Sequence, residues 1–290
     1  MLNFENQFAY SPMAYEMVAH VLTLGYAVML AALAYFILTI RSVAPRYRIS
    51  SVLSVVVMVS AFLLLYAQKA SWTDAFTFNA ATGMYEASVT GDRFSNGFRY
   101  LNWLIDVPML LIQILFVVEI ARQRRNSMLF WFSLSGSMMI VTGYIGQFYE
   151  TTNVTAWLVW GAVSTVFFVH VLYLMNRVIN DGKREIPAAA ARVMSAIWWL
   201  FLISWMLYPG AYLMPLFLNN EAGVVGRQMT YTVADISSKV IYGVLLSYAA
   251  MLRSRAEGYK EEMLPLFGSK SNGSGVGVER QEQPVHMPVN

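Results

Sequence analysis

Asp235 and Lys239 stand four residues apart inside the apolar run YTVADISSKVIYGVLL. In a bilayer each such charge costs roughly 2.5 to 3.5 kcal/mol on insertion scales, so the pair must have a use. At this spacing the two side chains share one helix face, and a structural salt bridge is the simplest reading. The other reading is chemical: a desolvated lysine amine condenses with an aldehyde to a Schiff base. Once protonated, that imine requires a counterion, which Asp106 or Asp235 can supply. A second string, RYLNWLIDVPMLLIQ, carries Arg99, Asn102, Asp106 and Gln113. On a helix of about 100° per residue the four fall within about 60° of one another over about 21 Å. Two amides and an ion pair could simply tie helices together. Four aligned polar groups favour an ion path through the bundle.

These residues need apolar helices to hold them. The chain has 290 residues, 57% hydrophobic and 13% charged, which is the composition of an integral membrane protein. Seven apolar segments approach or exceed the length of about 20 residues that crosses a bilayer, at about 15–40, 49–68, 98–120, 127–149, 154–176, 193–217 and 228–252. The expected fold is all-α, a seven-helix transmembrane bundle. Arginines and lysines gather in alternate connections: Arg41, Arg46 and Arg48; Arg122, Arg124 and Arg125; Arg177, Lys183, Arg184 and Arg192; and Arg253, Arg255 and Lys260. Acidic residues Glu5, Asp74, Asp92 and Glu150 lie in the others, so the N-terminus is expected outside and the C-terminus inside.

The longest connection contains FTF and MYEASV around an Ala/Thr/Gly turn and is expected to form a small hairpin over the outer mouth. Three regions follow: an extracellular segment 1–14, a transmembrane domain 15–259, and a polar tail 260–290 expected to be disordered. The first residues lack the basic start and small-residue cleavage site of a signal peptide and read as mature sequence. With no cysteine, thiolate metal sites and cysteine nucleophiles are excluded. Neither a phosphate-binding glycine loop nor an H-E-x-x-H pattern occurs, so no enzyme is indicated. The scattered basic clusters give no support to a nucleic-acid partner.

Trp103, Met139, Gly143, Trp205 and Tyr208 could line a flat apolar slot beside Lys239, suited to a long conjugated ligand. Each is also ordinary bundle packing taken singly, as are His20 and His170. Together with VMVSAFLLLYAQ, IVTGYIGQFYE, LISWMLYPGAYLMP and ADISSKVIYGVLL, these residues make the chain resemble a microbial rhodopsin over about residues 10 to 255. The Asn102, Asp106 and Gln113 triplet resembles that of the light-driven sodium pump group.

That resemblance implies a bacterial cell membrane and all-trans retinal bound covalently to Lys239, with Pro209 and Ser238 beside it. It makes Asp106 the counterion and proton acceptor, with Asn102 and Ser60 as its polar partners. Asp235 would flank the Schiff base, with Arg99 outward of it and Gln113 at the inner entry. Gln68, Glu150 and Arg227 would form an outer exit cluster. Tyr15, Thr73, Phe76 and Asp92 match a sodium site between protomers of a homo-pentamer. Phe98, Ser51 and Ser247 depart from the group, which has Tyr, Asn and Gly there in some members. The implied activity is outward sodium pumping, with protons carried when sodium is absent. An outward proton pump is the alternative, although such pumps usually carry an acid where Gln113 stands. A photosensory receptor and a retinal-free transporter are further readings; chloride pumping is disfavoured by Asp106.

Overall fold

The computed structural model describes residues 3–118 and 120–260, so nearly all of the expected tail lies outside the described residues. Among the described residues seven helices are long and apolar enough to span a membrane. They are α1 (Pro12–Thr39), α2 (Arg48–Ala75), α3 (Gly97–Gln113), α4 (Arg122–Gln147), α5 (Val154–Gly182), α6 (Ala188–Tyr212) and α7 (Glu221–Ala256).

Their starts follow from local chemistry. Ser11 accepts the Ala14 N–H ahead of α1, with Pro12 at the first helical position. Asn153 and Asn220 cap α5 and α7 in the same way, through the N–H groups of Ala156 and Gly223. Leu24, Leu63, Phe130, Val166 and Ile203 are exposed on the bundle's outside. An apolar exterior of this kind belongs against lipid.

Several helix ends differ from the sequence expectation, among them α5, which runs on to Gly182, and α7, which begins at Glu221. Helix α2 continues to Ala75, about two turns farther, because Trp72 is buried among Tyr10, Phe76 and Phe94, with ring centroids 4.7 to 5.3 Å away. Helix α3 ends at Gln113 and closes in a 3-10 turn, Ile114–Phe116. Helix α6 stops at Tyr212, and the remainder of its apolar run is a separate single turn, Met214–Phe217. Within α7 the segment Ile236–Ile241 is a π-helix. It contains Lys239, and such wide turns recur at functional positions.

The expected hairpin is present. Strand β1 (Phe76–Asn79) pairs antiparallel with β2 (Met84–Ala87), Phe76 opposite Ala87 and Asn79 opposite Met84. Gly83 turns the chain at φ +69°, a conformation that glycine adopts without strain. Tyr10 pairs with Tyr85 through backbone hydrogen bonds, and the Tyr15 ring stacks on the Tyr85 ring at 3.7 Å. A small second core joins Phe4, Tyr10, Trp72, Phe94 and Val224 beneath this lid, apart from the main core of the bundle. Phe4 and Glu5, in the 3-10 turn Phe4–Gln7, are buried, so the N-terminal segment is part of the fold.

At the start of α7 the backbone passes so close to Leu218 that a Cβ on Gly223 would lie 1.9 Å from the Leu218 carbonyl oxygen. Gly223→Ala is expected to cost about 1 to 3 kcal/mol, the usual penalty of overpacking. It should lower the thermal midpoint followed by circular dichroism in detergent; an unchanged midpoint would contradict this close approach.

Candidate functional site

Lys239 is buried in the middle of α7, and its Nζ has three polar neighbours. It donates to Asp235 Oδ1 at 2.6 Å and to Asn102 Oδ1 at 2.8 Å, and Asp106 Oδ2 is 3.7 Å away. Asp235 is therefore the nearer carboxylate. Its Oδ1 also accepts from Trp103 Nε1 at 3.0 Å and from the Tyr208 hydroxyl at 2.9 Å. Its Oδ2 accepts from Arg99 Nη1 at 2.7 Å. Two cationic and two neutral donors thus occupy this one carboxylate, and charge-assisted bonds of this kind are the strong ones.

Asp106 is differently placed. Asn102 Nδ2 donates to its Oδ2 at 2.5 Å and lies 3.3 Å from Ser60 Oγ. Asp106 Oδ1 has no hydrogen-bond partner and is fully buried.

Every pocket residue expected from sequence lines a single cavity with Lys239: Trp103, Met139, Gly143, Trp205, Tyr208, Pro209 and Ser238. Sequence reasoning missed the α5 wall, formed by Gly161, Ser164, Thr165 and Phe168. Their spacing of three, four and seven residues was a legible sign of one face. The walls leave room for a flat chain. A Cβ on Gly143 would reach within 3.3 Å of Ser164 Oγ, and one on Gly161 within 3.0 Å of the Tyr212 ring. The slot is largely apolar, with Lys239 in its lining, the form of site that takes a flat apolar ligand.

The aligned polar residues of α3 are all buried, but they do not form a continuous track. Gln113 accepts from Ser54 Oγ at 3.1 Å, and apolar Val107, Leu110 and Leu111 are buried along the helix between it and Asp106. Ser51 and Ser247 are buried toward the same end, and Phe98 borders a shallow concavity near the other.

On the hairpin side the network continues. Arg99 Nη2 donates to Gln228 at 3.4 Å, and Gln228 Nε2 to Glu5 at 2.8 Å. Asn96 donates to Glu5 at 2.9 Å and accepts from Gln68 at 3.1 Å. Arg227 pairs with Glu150 at 2.7 Å and with Glu5 at 3.6 Å. The expected exit residues Gln68, Glu150 and Arg227 are therefore brought together. Glu5, Asn96, Gln147 and Gln228 complete the cluster, and only Glu5, a charge in an otherwise apolar and amide-rich opening, carried a signal in the sequence.

The residues expected to hold an ion between protomers are only partly gathered. Tyr15 lies beside Thr73, Phe76 packs on Tyr10 and Trp72, and exposed Asp92 bonds Asp74 through its backbone N–H at 2.8 Å. No cluster of three or more acidic or histidine residues suited to a metal occurs among the described residues. His170 bonds Ser135 at 2.8 Å, a packing role.

Comparison with known proteins agrees with this geometry. Residues 16–252 match the family model described as bacteriorhodopsin-like protein. A green-light absorbing proteorhodopsin from a gamma-proteobacterium is 22% identical over 233 residues, 79% of this chain and 84% of the relative. Bacteriorhodopsin-I of Haloquadratum walsbyi is 28% identical over 176 residues, 60% of this chain and 65% of the relative. Among solved structures, xanthorhodopsin, described as a light-driven ion pump with dual chromophore, superposes with a TM-score of 0.80 at 30% identity, covering 87% of this chain and 99% of that one. A thermophilic rhodopsin gives 0.79 at 30% identity, covering 86% and 98%.

Glu150 lies in the connection between α4 and α5. Burial raises its carboxyl above the ordinary value of 4.5, against the lowering pull of Arg227 and of the Phe4 N–H. A raised acid stabilises the fold fully below its unfolded value and loses that contribution as pH climbs through the folded one. Glu150→Gln should therefore flatten the decline of thermal midpoint above the carboxylate range; an unaltered pH profile would show that the group does not titrate this way.

Proposed function

We propose, from the premise that this chain belongs to the bacteriorhodopsin-like family, that it is a light-driven pump carrying sodium outward, from the arginine-rich end of the bundle to the hairpin end. Positive residues at the C-terminal end support an orientation with that end in the cytoplasm. All-trans retinal, bound through Lys239 Nζ, supplies light absorption and a light-triggered change at that nitrogen.

The protein groups divide the remaining work. A positive charge on Nζ sits in the buried polar region formed with Asn102, Asp106 and Asp235. At about 4 Å and an effective dielectric near 20 it repels a passing cation by about 4 kcal/mol, a block of roughly a thousandfold. Asp106, whose Oδ2 lies 3.7 Å from Nζ, takes the Nζ proton. Transfer removes both charges together. Asn102 and Ser60 then hold the neutral Asp106 aside, and sodium passes between Asn102 and Asp235. Asp235 stays charged under its four donors, and Arg99 and Gln228 lead outward to the Glu5, Asn96 and Gln68 cluster. Return of the proton to Nζ restores the barrier behind the ion. Moving one charge against 100 mV costs about 2.3 kcal/mol, which the light step must exceed.

One observation carries the choice of sodium. Among the described residues the buried acids are Glu5, Asp106, Glu150 and Asp235, and none lies between Lys239 and the arginine-rich end. Gln113 stands there instead, and an amide cannot give up a proton at ordinary pH. The Asn102, Asp106 and Gln113 triplet supports the same reading. Assembly as a homo-pentamer, with Tyr15, Thr73, Phe76 and Asp92 at the protomer boundary, is part of this proposal. The second reading is an outward proton pump, favoured by the hydrogen-bonded chain from Lys239 through Arg99 and Gln228 to Glu5, which suits protons equally well.

Two experiments test these assignments. Membranes supplied with retinal should show a visible absorption band that Lys239→Ala abolishes; a band surviving that substitution removes the covalent assignment. Illuminated cells in sodium chloride should alkalinise their medium, more strongly with a protonophore, because protons enter passively to balance exported sodium. In potassium chloride the medium should instead acidify. Loss of the sodium signal on adding protonophore would make the proton pump the better account.

A further inference from the structure

The arginine-rich end of the bundle is closed by a cluster that the proposed transport cycle leaves unused. Arg253, near the end of α7, is 4% exposed and donates through Nη1 to the Val117 carbonyl, just beyond the end of α3. The Tyr47 ring covers its guanidinium at 5.0 Å from the centroid, and Glu257 lies 3.9 Å away. Glu257 in turn accepts from the Tyr47 hydroxyl and from Arg46. The connection between α1 and α2 is bolted to the same place. Ala44 N–H donates to Ser254 Oγ at 2.9 Å, the Tyr259 hydroxyl donates to the Arg41 carbonyl at 3.0 Å, and Arg48 reaches Tyr259 at 3.1 Å.

Directly behind this cluster lie buried polar side chains from three helices: Ser50, Ser51 and Ser54 on α2, Gln113 on α3 and Ser247 on α7. Gln113 Nε2 is buried there beside the Tyr242 hydroxyl. Ser247 is six residues from Arg253, about 9 Å along the helix. The Arg253 to Val117 bond joins α7 to the end of α3 between the surface and these polar groups. The same guanidinium puts a buried positive charge at the passage, which disfavours a cation there until it moves.

We propose that Arg253, held by the Val117 carbonyl, Tyr47 and Glu257, is the gate of the inner entry, closed in the dark and released when α3 and α7 separate under light. The inference rests on the reading that ions enter at this end, but not on which ion is carried.

The absence of cysteine from the chain provides a direct test. Ser54→Cys, buried beside Gln113, is placed in the full retinal-loaded protein in nanodiscs and exposed to a charged methanethiosulfonate reagent. Labelling should run about tenfold faster in light than in darkness, and adding Arg253→Gln should raise the dark rate by about the same factor, the scale set by losing one charge-assisted hydrogen bond. Glu257→Gln, which loosens the clamp without emptying the buried arginine position, should raise the dark rate by a smaller factor. This second variant decides the matter if Arg253→Gln fails to form pigment. Equal light and dark labelling in the Ser54→Cys parent, or a dark rate indifferent to the clamp substitutions in folded pigment, overturns the gate. Absence of sodium transport together with the expected labelling pattern overturns the sodium reading and leaves the gate standing.

Discussion

The bundle depends on one carboxylate that is fully occupied. Asp235 takes a lysine from its own helix, an arginine and a tryptophan from α3, and a tyrosine from α6. Removing any buried charge from such a set strands the others, at a cost of about 3 to 5 kcal/mol for a broken buried pair. The arrangement therefore fixes the relative positions of α3, α6 and α7 where the cavity runs between them. Asp106, on the same face of α3, takes fewer donors. Two aspartates within reach of one amine thus differ in the number of donors around them.

The two halves of the path are built on different principles. From Lys239 toward the hairpin, hydrogen bonds link Asp235, Arg99, Gln228 and Glu5 without a gap. Toward the arginine-rich end, buried aliphatic residues lie on α3 between Asp106 and Gln113. Polar groups that remain connected can pass charge by small displacements, whereas an apolar interval opens only if helices move. A pump that must not leak is well served by this asymmetry, because the two sides of the central amine then respond to different events.

Much of this was legible in the sequence, for a physical reason. Charges inside apolar runs are costly, so Asp106, Asp235 and Lys239 identify themselves, and the apolar runs give the seven helices. Residues in polar surroundings carry no comparable signal. Asn96 and Gln228 look like ordinary loop or helix-end amides, although both are buried in the outer cluster. The end of α2 was missed because KASWTDA reads as a polar connection, while the burial of Trp72 beneath the hairpin keeps it helical. The polar face of α3 was read as a continuous track because residue spacing reports direction around a helix and says nothing of what fills the space between.

The seating of Glu5 has a consequence for biogenesis. Its carboxylate is bonded by Asn96 and Gln228, partners 91 and 223 residues farther along the chain. Ribosomes deliver a polypeptide from its beginning, and contacts across such separations close late. The segment that carries Glu5 is accordingly made well before its partners, and its contacts close only once the final helix is in place.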